Sequence, residues 1–469
     1  MTSPAKPSPS YRSSSLRSTR LIAAAPALAA LLGGCRQLGA LGRPAATDAD
    51  LLHRAVQDVT GTMTYDIMSP PQGSRVYAYA AVAAYEAMRP GYPGYRTLAG
   101  QLRGLDSLPK PGPGTVYYPL AGIHAYMTVG RQLTFSRERM DSLAQAMDRE
   151  YASRLPSDEF ARSVAYGDTI AARVLRWAGG DHFLQTRGAP KYAVTGEPGR
   201  WAPTPPGYLD AVEPHWGEVR PFVMDSGSQF KPEPAYRFDT AAASPYGRDV
   251  REVYTVRKTL TPEQTAIANF WECNPYTLHV QGHSMFATKK LSPGGHWIGI
   301  AGIAARTAGA DAMRTAAVYA RTSVALADGF ISSWDEKYRS NVMRPETVIN
   351  KYIDEGWEPL LQTPPFPEYT SGHSVISPAA AAVLADEFGD RFAFADSVEM
   401  PWGLPVRQYA SFAAAAAEAG ISRLYGGIHF RHSIEQGNLQ GARVGAWVVA
   451  HVKTRDVTPR QVVAQAGGR

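Results

Sequence analysis

Three short stretches of the sequence gather cations, hydroxyls and imidazoles. In "SSWDEKYRSNVMRPETVI", Lys337 and Arg344 are seven residues apart, almost two helical turns, so a continuous helix points both the same way. Pro345 biases the residue before it out of the helical region and should end that helix at Arg344. "EYTSGHSVIS" sets Ser371, Gly372 and His373 just before an Ala-rich helical stretch. A helix N-terminus presents unpaired N–H groups and a positive dipole end, ready for an oxyanion, although Ser and Gly there equally suit plain capping. In "ISRLYGGIHFRHS", an unbroken helix would put Arg423 and His429 on separate faces, but Gly426 and Gly427 allow a turn that returns His429 to Arg423. Taken singly, these are a solvated basic face, a capping turn and a structural histidine. Taken together, Lys337, Arg344 and Arg423 can neutralise a tetrahedral oxyanion, the Ser371 hydroxyl and Gly372 N–H can donate to it, and His429 can approach its central atom.

The ordered set Lys-x6-Arg-Pro, Ser-Gly-His and Ser-Arg-x5-His, here Lys337 to Pro345, Ser371 to His373 and Ser422 to His429, resembles the signature shared by vanadium-dependent haloperoxidases and type 2 phosphatidic acid phosphatases. That resemblance implies an all-α helical bundle holding vanadate, with phosphate able to occupy the same site. In the haloperoxidase reading His429 is the axial nitrogen ligand of the metal, Lys337 polarises hydrogen peroxide, His373 moves protons, and a halide is oxidised to a hypohalous acid equivalent. In the phosphatase reading His429 is phosphorylated and His373 protonates the leaving alcohol. A third reading is a non-catalytic oxyanion-binding lipoprotein.

"DGFISSWDEK" and "PPFPEYTSGH" resemble the haloperoxidase branch, which makes Trp334 and Phe366 walls of a halide pocket. Ordinary core packing is the alternative for both rings. The resemblance also implies that Asp328 pairs with Arg423. One departure stands out: the family usually has an acid four residues after the last histidine, and here that position is Ser433. Nearby Glu435 would face away from His429 on a regular helix. Residues 60–90 and "FWECNPY" at 270–276 are similar to secreted bacterial relatives, more weakly than 325–440.

Helical signals supply the frame for these groups. They run over "PPQGSRVYAYAAVAAYEAMRP", 135–177, 261–272, 299–340, 374–388, 406–420 and 433–453, with few strand signals. A Pro-, Gly- and aromatic-rich stretch from about 179 to 250 reads as ordered connecting loop. The expected organisation is therefore an N-terminal helical region over 49–250, a C-terminal bundle over 251–455 carrying the pocket, and a tail over 456–469. "HVQGH" gives His279 and His283 at metal-ligand spacing, but Gly282 between them favours a structural role.

The first 20 residues carry Lys6, Arg12, Arg17 and Arg20 with no acid, followed by "LIAAAPALAALLGG" and Cys35. This is a secretory leader too short to span a bilayer. "LLGGC" resembles the bacterial lipoprotein signal, which implies lipidation at Cys35, a tether over 36–48 and an address at the cell envelope, periplasmic or outer surface, with simple secretion as the alternative. Removing residues 1–34 takes the charge from +6 to +2 (6 − 4), so the basic balance belongs to the leader. No basic cluster with interleaved aromatics calls for nucleic acid. Cys273 is the one other cysteine, which gives no disulfide pair, and any metal site is expected to rest on N and O ligands.

Overall fold

The computed structural model describes residues 46–455, and within it the residues from Thr47 onward form one compact unit. The leader, Cys35, most of the tether and the tail beyond Arg455 lie outside the described residues.

Fourteen α-helices carry the described chain: α1 Asp48–Tyr65, α2 Pro70–Met88, α3 Tyr118–Leu133, α4 Arg137–Ala152, α5 Ser157–Gly179, α6 Phe183–Gly188, α7 Pro245–Lys258, α8 Pro262–Phe270, α9 Pro293–Thr307, α10 Ala312–Ser340, α11 Pro345–Tyr352, α12 Gly372–Phe388, α13 Phe412–Tyr425 and α14 Arg431–His451. Several begin with a hydroxyl cap followed by proline: Ser69–Pro70, Ser244–Pro245, Thr261–Pro262 and Ser292–Pro293. The hydroxyl takes an orphan N–H of the first turn, and proline loses nothing at a position with no N–H partner.

Two expected helices are each split in two. The 135–177 stretch divides at Ser153–Pro156, and 299–340 lies within α9 and α10, separated near Gly309, whose φ is +59°. Among the described residues, strands are confined to two short antiparallel pairs, Thr277–Gln281 with Ser284–Thr288 and Phe394–Asp396 with Arg407–Tyr409. The first carries the His279–His283 stretch around Gly282 at φ +57°, where the His279 ring stacks on Phe286.

The N-terminal helix α2, buried along nearly its whole length, packs on both α3 and α10. Helix α10 also packs against α12, which lies in turn against α14. A Cβ at Gly441 would fall 1.9 Å from the Val375 carbonyl oxygen, and one at Gly445 would fall 2.9 Å from Ala379 Cα. With Gly437 these form one stripe at a spacing of four along α14. Backbone thus meets backbone, bringing the first turn of α12 against the first turn of α14, where two sequence motifs meet.

Candidate functional site

Lys337 lies in the last turn of α10, which ends at Ser340 and is closed by Asn341 in the left-handed region at φ 49°. The helix therefore stops short of Arg344, which is instead the N-cap of α11, with Pro345 at that helix's first position. The two cations still converge, through a turn rather than along one helix face. Both are fully buried, and both approach the Phe366 ring, Lys337 Nζ at 5.1 Å and Arg344 Cζ at 4.9 Å from its centroid. Trp334 stands 4.9 Å from Phe366, centroid to centroid, and its indole N–H donates to the Val212 carbonyl.

Lys337 Nζ donates to the carbonyls of Pro367, Glu368 and Thr370 at 3.1, 3.1 and 2.5 Å. All three Nζ hydrogen-bonding directions are thereby taken by backbone carbonyls. Arg344 donates from Nε to Phe366 O and from Nη1 to both Ile428 O and His429 Nε2, the last at 3.0 Å. Its Nη2 is buried with no hydrogen-bond partner.

Ser371 is the N-cap of α12. Its hydroxyl accepts from the Ser374 amide at 3.4 Å and is 2.9 Å from the Ser374 hydroxyl, so it fulfils the capping reading directly. Gly372 and His373 follow on the cavity wall. A Cβ on Gly372 would sit 3.6 Å from Trp334 Cζ3, in ordinary contact, so packing alone does not demand glycine there.

Arg423, near the end of α13, donates from Nη2 to Trp271 O at 2.8 Å and Ala268 O at 3.3 Å, carbonyls at the C-terminal end of α8 that lack helical partners. Gly427, at φ +77°, turns the chain so that His429 enters the same cavity. That cavity, about 370 Å³, is lined by Trp334, Phe366, Gly372, His373, Arg423 and His429 among others.

Asp328 is placed elsewhere than expected. It does not pair with Arg423: its two oxygens accept the backbone N–H groups of Phe222, Val223 and Met224 at 2.6, 2.9 and 3.0 Å. The physical reason is that three consecutive buried amides outside any helix need acceptors, and this carboxylate is the one α10 presents to them.

The missing acid after His429 has a replacement from another segment. Glu368 Oε1 accepts from His429 Nδ1 at 2.8 Å and from the Phe430 amide at 3.0 Å. Ser433 Oγ stands 3.5 Å from the same ring nitrogen, and Glu435 is exposed. With Nδ1–H given to a carboxylate, the lone pair of His429 is on Nε2. Sequence reading missed Glu368 because it is 61 residues from His429 and shares no helix with it. Its one local signal is an acid three residues before Ser371.

Electrostatically the site is short of negative charge. Lys337, Arg344 and Arg423 are buried, Glu368 is the carboxylate among them, and Glu272 at the cavity wall is engaged with Lys290. Burial pushes Arg344 and Arg423 each down to about 10. Burial also drives Lys337 well below the usual lysine range, and Arg344 adds to the effect. His429 and His373 are held well below the ordinary histidine value, first by burial and then by the cations, Arg344 foremost for His429 and Arg423 for His373. Burial raises Glu368, opposed first by Arg344. Two neutral imidazoles among buried cations make a cavity that favours an anion.

A family model described as the VCPO second helical-bundle domain matches residues 317–455, which contain every site residue expected from the sequence. The solved structure of a bacterial vanadium-dependent iodoperoxidase superposes with a TM-score of 0.83 at 47% identity, covering 87% of this chain and 97% of that one. The chain belongs to the vanadium haloperoxidase family. A holo-type bacterial vanadium-dependent chloroperoxidase shares the fold with this haloperoxidase at a TM-score of 0.63 and 18% identity, covering 87% of this chain and 97% of that one. Its apo-type counterpart gives 0.59 and 18%, covering 82% and 95%. No curated protein sequence matches the haloperoxidase.

The residues present fit a vanadate-like oxyanion. Arg344 Nη2 and His373 Nε2 are buried polar atoms with no hydrogen-bond partner, in a site where three buried cations, Lys337, Arg344 and Arg423, gather. His429, Arg423 and the Gly372 amide on the cavity wall, with Arg344 bonded to His429, would be the groups to hold it.

Proposed function

We propose that the chain is a vanadate-dependent peroxidase that oxidises iodide with hydrogen peroxide to a hypoiodous acid equivalent. The observation that carries the reading is His429, whose Nδ1–H is held by Glu368 and whose Nε2 faces a buried cluster of cations. Iodide as the halide is supported by the 47% identity with a bacterial iodoperoxidase.

Bound vanadate supplies the Lewis-acidic centre that activates hydrogen peroxide toward a halide. Glu368 keeps His429 in the tautomer that can act as a ligand, and Arg344 must surrender its bond to Nε2 for ligation to occur. Arg344 and Arg423 neutralise the oxyanion's charge. His373 is neutral near pH 7, so its Nε2 can take a proton from hydrogen peroxide and return it at a later step. The Trp334 and Phe366 rings exclude water from one side of the cavity, which suits a large, weakly hydrated halide.

Glu368 also gives a phosphohistidine route the carboxylate that would stabilise the charged ring. The test is therefore double: phosphate-free protein given orthovanadate, hydrogen peroxide and iodide or bromide, beside metal-free protein given a phosphate ester. Vanadate-dependent iodide oxidation that His429→Ala abolishes is the expected result. Ester hydrolysis without halide oxidation would refute the peroxidase reading.

We also propose that Cys35 is lipidated and holds the enzyme at the cell envelope, on the strength of the leader sequence. No described helix is long and apolar enough to cross a membrane. Cys35→Ser should release the protein from the membrane fraction; continued membrane retention would contradict the anchor.

A further inference from the structure

A second cluster of metal-ligating side chains stands beside the oxyanion cavity, and the reactions above do not use it. Cys273 follows α8, His296 lies in the first turn of α9, and Glu399 lies just past the Phe394–Asp396 strand. The three are buried, at 2%, 0% and 0% exposure. Cys273 Sγ is 3.4 Å from His296 Nδ1 and 3.7 Å from Glu399 Oε1, and that oxygen is 3.2 Å from His296 Nδ1. Sulfur, nitrogen and oxygen thus make a small triangle drawn from three separate parts of the chain.

The edges of that triangle match one face of a tetrahedral zinc site. Bond lengths of about 2.3 Å to sulfur and about 2.0–2.2 Å to nitrogen and oxygen imply S–N, N–O and S–O edges of roughly 3.5, 3.4 and 3.6 Å. The other ring nitrogen of His296 is also in place, with Nε2 2.8 Å from Asp396 Oδ2. A histidine that binds a metal through one nitrogen typically gives the other N–H to a carboxylate, which fixes tautomer and orientation. Two further features tie the cluster to a ligand. Glu399 Oε2 is buried with no hydrogen-bond partner, Lys290 Nζ being 3.5 Å away. The Trp271 ring stacks on His296 at 4.5 Å and 19°, sealing one side.

We propose that Cys273, His296 and Glu399 bind a divalent zinc ion, with Asp396 orienting His296. A thiolate, an imidazole and a carboxylate together suit zinc, whereas magnesium and calcium prefer all-oxygen sites. The sequence led to an expectation of N and O ligands only; the proposed site adds sulfur because the fold brings Cys273 to residues 23 and 126 positions away. The role is positional. Trp271, two residues before Cys273, presents the carbonyl that holds Arg423 Nη2 at 2.8 Å, so an ion fixed at Cys273 would hold that carbonyl in place. The proposal depends on neither vanadate nor the halide.

The test uses the full chain purified without chelator, with zinc and vanadium counted separately by plasma mass spectrometry in wild type, Cys273→Ser and His429→Ala. About one zinc per chain is expected in wild type and His429→Ala, and at least a tenfold loss in Cys273→Ser. Zinc undiminished in Cys273→Ser, or lost in His429→Ala, would overturn the assignment. Since Cys273→Ser could fold poorly, a second measurement uses chelator-stripped wild type titrated with Co²⁺. Near-ultraviolet thiolate-to-cobalt absorption with four-coordinate ligand-field bands is the expected result. No stoichiometric zinc in wild type, together with no such absorption, would dismiss the site.

Discussion

Arg423→Met tests whether the cavity is built to be completed by an anion. Burial holds Arg423 at about 10, against 12.5 for a free guanidinium. That difference corresponds to ~3 kcal/mol spent keeping the charge in the interior, which Glu272 at the cavity wall offsets only in part. An oxyanion recovers this term on binding, and the methionine variant has none to recover, so vanadate affinity should fall about a hundredfold at 1.4 kcal/mol per decade. At a vanadate concentration of about 100 times the wild-type Kd, linkage stabilises the wild type by ~2.7 kcal/mol and the variant by ~0.4 kcal/mol. At ~2.1 cal/mol/K per residue over roughly 400 ordered residues, these are Tm rises of ~3 °C and ~0.5 °C. The assay is thermal unfolding followed by tryptophan fluorescence, with and without orthovanadate in phosphate-free buffer, beside a calorimetric titration at one temperature. Far-ultraviolet circular dichroism checks that the helices survive the loss of the bonds to Trp271 and Ala268. A variant that binds vanadate within threefold of wild type would refute the argument that buried charge imbalance is what the anion relieves.

Glu368→Ala should lower Tm by about 4–6 °C, because it strips the partner from the His429 and Phe430 N–H groups and leaves Lys337 and Arg344 with less opposing charge, a loss of ~3–5 kcal/mol. An unchanged melting curve would show that Glu368 is dispensable to the apo fold. His124, which joins α3 to Asp148 of α4 and Asp168 of α5, gives a pH prediction. Burial lowers its pKa, but the bonds to Asp148 and Asp168 outweigh that and raise it to about 9. A raised histidine contributes stability that is fully present below about 6.5 and is lost as pH climbs through about 9. The stability advantage of wild type over His124→Gln, measured by urea unfolding, should therefore shrink by ~2 kcal/mol between pH 6.5 and 9; a constant or growing gap would reverse the assigned sign.

Much of the site was legible because its parts are local. Lys337 with Arg344, Ser371 with Gly372 and His373, and Arg423 with His429 each occupy a short window, and in combination their residue types suit an oxyanion. The hydroxyl-proline helix starts and the Ala-rich stretches likewise announce an all-α chain, since capping and propensity act over a few residues. Element ends were less legible: α10 stops at Asn341, before the proline that seemed to end it, because an asparagine in the left-handed region closes a helix by itself.

What only the tertiary structure decided are pairings between distant segments. The sequence shows Ser433 where an acid belongs, but not that Glu368 reaches His429 across 61 residues. It shows Asp328 near the first motif, but not the three amides of Phe222 to Met224 that claim it. It shows one cysteine in the body of the chain, but not the histidine and glutamate beside it. Periodicity reports which face of an element a residue occupies. Which partner lies opposite depends on how closely elements pack, as where the glycines of α14 admit the backbone of α12, and that is a property of the whole fold.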